Sequence, residues 1–588
     1  MAILFKEVSY NLQGLKNDID MGVIGLPDIQ RPFVWKDIKV RDLFDSMYRG
    51  FPVGYLLLWA NGSIDGIKQI GTDGKQKNPN LLIVDGQQRL TSLYAVITGK
   101  EIIRDNFKKE KIVISFKPLE EKFVIPDAAT RKSAEYLHDI SVLWQPNFSM
   151  SKFLRKFIEN MEILRSLSDE EKDIIESNIE KVRNIEHYNF SALELSANIS
   201  EEQVSEIFVR INSQGKTLNQ ADFILTLMSV FWDEGRSDLE NFCRDSRLPN
   251  LKTATAFNYI VQPNPDQMLR VSVGLAFRRA VLKYVYNILR GKDLETGEFN
   301  IERREIQFNK LKIAQEKVLD LTNWHEYLKC IKQAGYIKGD MLSSKINIIY
   351  VYIMFLIGRV EFQVELFELR KIISKWFFMT ALTGRYSSSP ESQMEQDLSL
   401  LRNVTNKQDF INVLDQQIHN QFTNDYWSIT LPNNSLATSS SISPAMYAYY
   451  ASLNILNAVG LFSTMKVSDL LQEGLRTRKS PLEIHHLFPK KYLKKNGITD
   501  QQQINQIANY ALVEWNDNIE ISDKAPFEYL SKYVERYSDN EELNQLFYWH
   551  ALPENWQNME YSEFLKKRRV LIAKVIKDAF VKISRLSN

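Results

Sequence analysis

A chain of 588 residues, 44% of them hydrophobic and 25% charged, has the make-up of a globular protein too long for one core, so two or three domains are expected. A formal net charge of +1 excludes a globally basic binder of nucleic acid and requires any basic surface to be local. Cys243 and Cys330, the only two cysteines, stand too far apart in sequence for a disulfide framework or a zinc knuckle and suit a reducing cytoplasm.

The first residues, MAILFKEVSYNLQ, lack the basic and apolar blocks of a secretory signal. Val23 to Pro27 and Asp28 to Trp35 read as extended chain, because Pro27 and Pro32 oppose a helix. Lys36 to Arg49 has helical apolar spacing, and Phe51 to Trp59 is a strand candidate. Residues 61–80 are polar and Gly-rich, a loop. Leu81 to Ile97 reads as a buried strand, a Gly turn and an amphipathic helix. Ser168-x-x-Glu171 and Ser200-x-x-Gln203 are capping boxes before apolar-periodic runs. Gly215 suits a left-handed helix end, and Asn219 starts a further helix through Asp222. Residues 236–430 carry long helical patterns, with a polar loop from Gly384-Arg-Tyr386 to Glu391. Their longest apolar run, Ile346 to Gly358, falls short of the about 20 residues that cross a bilayer and reads as a buried helix. Leu431 to Pro444 is the clearest low-complexity linker, so a domain boundary is placed there. A basic helix is expected from about Glu563.

Two stretches carry chemistry. The first is Glu483-Ile-His-His-Leu-Phe-Pro489, followed by Lys490, Lys491, Lys494 and Lys495 and then by Asn509 and Asn518. Phosphodiester hydrolysis needs a base, a cation and a scaffold that aligns them. An imidazole suits the base. Adjacent strand residues point to opposite faces, so a His-His pair serves one site only at a kink or a strand end, which Pro489 could supply. The lysines suit a phosphate backbone. From Gly474 to Asn496 there are seven Lys/Arg against one Glu, and from Tyr561 to Asn588 eight against two acids. The second stretch is Asp85-Gly86-Gln87-Gln88-Arg89. A strand, a Gly and a helix start gather backbone N–H groups that favour an anion, and Arg89 could grip a phosphate. On the residues alone, an ordinary Asp-Gly turn explains this stretch equally well.

The first stretch resembles the HNH (ββα-metal) nuclease motif. The resemblance implies that His485 and Asn518 are metal ligands, that His486 is the general base, and that Asn509 orients it. With two protein ligands, Mg²⁺ or Mn²⁺ is the natural ion. The run Gln30-Arg31-Pro-Phe-Val-Trp35, the Asp85–Arg89 segment and Phe208 to Gly215 with Asp222 resemble the DGQQR domain of GmrSD-type, modification-dependent restriction endonucleases, to which SspE proteins are similar. That resemblance implies an α+β multidomain protein. Residues 1–230 would be a ParB/sulfiredoxin-like α/β domain that binds and hydrolyses a nucleoside triphosphate. Residues 231–435 would be a mainly helical middle, and 436–588 an HNH domain with flanking helices. It further implies nucleotide-binding roles for Asp85, Gly86, Gln87, Gln88 and Arg89, with Gln30 and Arg31 as weaker neighbours; for Lys490, Lys491, Lys494 and Lys495 it implies DNA contact. The partner implied is DNA, modified phage DNA included, with no membrane and with a homo-oligomer compatible. Two rivals stand beside this reading: an HNH nuclease whose N-terminal half only senses DNA, and a non-catalytic DNA-binding regulator.

Overall fold

The computed structural model describes residues 4–25, 35–60, 80–104, 108–196, 232–247, 249–250, 252–291, 300–471, 482–514, 521–537 and 539–585, with isolated positions at 199, 207, 220, 221, 224, 225, 228 and 517. The architecture is α+β: a small N-terminal sheet, then a helical remainder. The chain forms two compact units, Met1–Asn219 with Ser229–Phe231, and Gln220–Met228 with Trp232–Asn588.

In the first unit, strand β1 (Phe5–Asn11) leads into helix α1 (Leu12–Asp20), whose first turn is capped by Asn11. The short β2 (Ile24–Gly25) follows, then α2 (Asp37–Tyr48), β3 (Leu56–Ala60), β4 (Leu81–Asp85) and α3 (Gln87–Thr98). After two small hairpins come α4 (Met150–Glu162), α5 (Asp169–Arg183) and β5 (Asn189–Leu195). The sheet order is β1-β5-β3-β4-β2. β1 runs antiparallel to β5, β5 parallel to β3, β3 antiparallel to β4, and β4 parallel to β2. A register shift between Leu57 and Leu58 pairs Leu57 with Asp85 at the end of β4. Such a bulge re-aims the residues beside it.

Several expectations meet the structure here. The Ser168/Glu171 capping box forms in both directions, at 3.2 and 3.0 Å. Helix α3 is not amphipathic: Leu90 through Ile97 are all buried, so its whole circumference lies in the core. The strand expected from Phe51 begins only at Leu56, because Pro52 and Gly54, the latter at φ +87°, keep the preceding loop irregular. Gln30, Arg31, Ser200, Gln203, Arg210, Asn212, Gly215, Asn219 and Asp222 lie outside the described residues.

The second unit is built on a helical core. Helix α6 (Ile346–Leu356) is buried from Asn347 to Leu356, as expected of that apolar run. Beside it, Trp324, Tyr327, Tyr352 and Phe355 form a ring cluster. The Tyr327 and Tyr352 hydroxyls donate to the carbonyls of Ile348 and Val318, which removes the cost of burying them. Arg385 and Tyr386, expected in a polar loop, turn inward onto the buried Asp397. Leu431 and Leu436 are fully buried and the Thr438 carbonyl accepts the Ile507 N–H at 3.0 Å. The stretch expected as a linker is thus a packed segment, and the residues on both sides of it share one unit. Among the described residues, no helix is long and apolar enough to cross a membrane.

Candidate functional site

In the first unit, the run Leu81–Val84 is apolar and partly β-branched and forms a strand of the sheet. Gly86 then turns the chain at φ +91°, a conformation that favours glycine. This places Asp85 at the strand end and Arg89 in the first turn of α3. Gln87 folds back, its Nε2 donating to the Ile83 carbonyl at 3.0 Å. The Gln88 carbonyl accepts the Ser92 hydroxyl at 2.6 Å. Arg89 does not project into solvent: its Nη1 donates to the Tyr55 carbonyl at 2.9 Å. Burial lowers the pKa of the guanidinium, and the nearby Asp85 charge opposes that shift. The site therefore brings Asp85, Gly86 and Arg89 together with Gly54 and Tyr55, two residues that sequence reading had left in a strand.

In the second unit, β6 (Leu482–His486) pairs antiparallel with β7 (Tyr510–Glu514). His485 lies opposite Ala511 and His486 opposite Tyr510. Both histidines thus remain in the ladder, and the chain turns only after them. Their rings meet different neighbours. His485 is 4% exposed and sits edge-on to Tyr529, with ring centres 6.1 Å apart. His486 is half-buried, stands perpendicular to Tyr510 at 4.9 Å, and has Nε2 3.0 Å from Asn505 Oδ1. Burial lowers the His486 pKa to about 4; the Asn505 hydrogen bond opposes this and the Lys490 charge adds to it. The imidazole is therefore neutral at neutral pH, the state a general base requires.

Asn509 is fully buried at the end of a short turn just before β7. Its Oδ1 accepts the Phe488 N–H at 2.8 Å, and its Nδ2 donates to the carbonyls of Phe488 and Ile504 at 3.1 and 3.2 Å. Its hydrogen bonds therefore fix the backbone turn that follows His486, while the side chain bonded to the His486 ring is Asn505. The Tyr529 hydroxyl donates to the Leu487 carbonyl at 2.6 Å and pins the same turn from the other side. Asn505 is not legible in the sequence, because its contact with His486 spans 19 positions, a closure that no local spacing encodes.

Helix α7 (Tyr561–Ser584) supports this turn from behind. Arg568 is fully buried, and its Nη1 donates to the Ala508 carbonyl at 2.8 Å while Nε and Nη2 donate to the His550 carbonyl. Burial depresses its pKa. The basic helix expected from about Glu563 is thus partly a structural brace. Lys490, Lys491, Lys494 and Lys495 are all exposed on the short helix Lys490–Lys495 that follows Pro489, with Lys495 3.6 Å from Asp523. Asn518 lies outside the described residues. Among the described residues, no group of three His, Cys, Asp or Glu comes together.

Residues 12–229 match the family model described as the GmrSD restriction endonuclease, N-terminal domain. The chain is also 23% identical over 555 residues to an uncharacterized protein of Methanocaldococcus jannaschii, across 89% of this chain and 87% of that protein.

Proposed function

We propose, from the match of residues 12–229 to the N-terminal domain of the GmrSD restriction endonuclease, that this chain is a nucleotide-regulated DNA endonuclease or nickase of modification-dependent phage defence. The observation that carries the nuclease half is the His486 imidazole, held by Asn505 beside a short helix with four exposed lysines. The β6–β7 pair would be the two strands of a ββα-metal centre.

His486 removes a proton from water, and the resulting oxygen attacks phosphorus in line with the leaving 3′-oxygen. Asn509 holds the turn so that the base keeps its place. A divalent ion, Mg²⁺ or Mn²⁺, would offset the charge on phosphorus and on the leaving oxygen, with His485 and Asn518 as the residues to hold it. Lys490, Lys491, Lys494 and Lys495 would take the DNA backbone. In the first unit, a ParB/sulfiredoxin-like core would present Asp85–Arg89 to a nucleoside triphosphate, with Gln30 and Arg31 nearby, and turnover there would gate cutting.

The test is cleavage of matched DNAs, with and without base modifications, with Mg²⁺ or Mn²⁺ and with and without nucleotide. His486→Ala should abolish cutting, and full residual cleavage by this variant would remove the assignment. Phosphate release from the nucleotide, measured alongside, separates hydrolysis from mere sensing of DNA.

A further inference from the structure

The guanidinium of Arg89 lies between two glycines. A Cβ on Gly54 would stand 3.1 Å from Nη2, 3.5 Å from Cζ and 3.6 Å from Nη1. A Cβ on Gly86 would stand 3.5 Å from Nη1 and only 2.5 Å from Leu56 Cδ2. Both glycines have positive φ, +87° and +91°. Glycine at position 54 therefore serves two needs, the backbone turn and the close approach of the cation, while at position 86 it makes the turn and clears Leu56, with Arg89 in ordinary contact beside it.

The loop that carries Gly54 is itself anchored. The Tyr55 carbonyl takes Nη1 of Arg89, and the Phe51 carbonyl takes the Tyr188 hydroxyl at 2.8 Å. Nη1 to Tyr55 is the one hydrogen bond that the guanidinium makes among the described residues. Among the described residues, this half-buried cation meets a single neutral acceptor, and its remaining donors face no other protein acceptor. A planar fork with one edge pinned and the other open is the arrangement that grips an oxyanion with two parallel hydrogen bonds.

We propose that Gly54 is a positioning residue of the nucleotide site: with Gly86 it forms a slot that holds Arg89 flat and turns the open edge of its guanidinium toward a phosphate oxygen of a nucleoside triphosphate. This rests on the nucleotide reading of Asp85–Arg89. The slot acts through Arg89, so removing Arg89 removes what the slot is for.

The full-length protein decides this by equilibrium titration with ATP and with GTP. Gly50 supplies the matched control, because it opens the same loop at φ +72° with nothing within 4 Å of its Cβ. Gly50→Ala strains the backbone as Gly54→Ala does, without meeting Arg89. Gly54→Ala should weaken binding at least about tenfold, and Gly50→Ala less than about twofold. Gly54→Ala in an Arg89→Ala background should cost nothing more, since the two changes remove one interaction. Arg89→Lys, which does not touch the loop, should bind as poorly as Arg89→Ala, because an ammonium has no fork. Wild-type affinity in Gly54→Ala, equal losses in both glycine variants, multiplying losses in the double variant, or full affinity in Arg89→Lys would each overturn the slot. Wild-type affinity in Arg89→Ala would remove the nucleotide reading beneath it as well.

Discussion

Asn505 Oδ1 lies 3.0 Å from His486 Nε2. With Asn505 as acceptor, the ring carries its hydrogen on Nε2 and keeps the lone pair on Nδ1, so the tautomer is set by the partner of the other nitrogen. Asn505→Leu should leave DNA affinity intact and slow cleavage about tenfold, the loss of roughly 1.4 kcal/mol of transition-state stabilisation. Single-turnover cleavage against DNA binding measures the split. An unchanged rate would show that the ring is oriented by its packing on Tyr510 alone.

Asn509 makes three buried hydrogen bonds to the backbone around Phe488 and Ile504. Asn509→Ala leaves those groups enclosed and without partners, at a cost of about 3 kcal/mol. Denaturant unfolding should show this loss as a lower midpoint without a change in slope. Asn509→Asp should cost at least as much, because the two donor bonds of Nδ2 vanish and a charge is buried.

His550 is fully buried, donates from Nε2 to the Val459 carbonyl at 2.9 Å, and has its pKa lowered to about 4. Burial is the main cause and the Arg568 charge adds to it, while the Val459 carbonyl opposes it. The unfolded chain binds this proton at about pH 6.5, well above the folded chain. Its contribution is therefore whole above about pH 6.5 and is lost as pH falls toward 4, to a limit of about 3 kcal/mol. Unfolding midpoints at pH 7.5 and 5 should differ less in His550→Leu than in the wild type. An identical pH slope in the two proteins would mean that other groups drive the acid sensitivity.

How much of this was legible in the residues follows from the range of each interaction. The strand, Gly turn and helix at Leu81–Ile97 could be read because each signal sits within a few positions. So could the Ser168/Glu171 box. The full burial of α3 could not, because periodicity reports a polar face only when polar residues are there to mark it. Ser, Thr and Asn made 431–444 look like a spacer, yet Leu431 and Leu436 anchor it, and two buried leucines outweigh a polar average. The roles within the His485–Asn509 cluster depended on a loop that closes on itself. Residue types pointed to the place, and only the fold divided the work between Asn505 and Asn509.

The brace from Arg568 to the Ala508 carbonyl sets an order of events. Residues 482–514 leave the ribosome before Arg568 does, and chains fold from the N-terminal side as they emerge. Until that arginine arrives, the turn before β7 lacks its cation, and the two-stranded β6–β7 pair rests on little more than its bridge to Leu461. The candidate cutting centre thus gains its full frame only after Arg568 has emerged. A growing chain would carry the histidines before the frame that makes them useful.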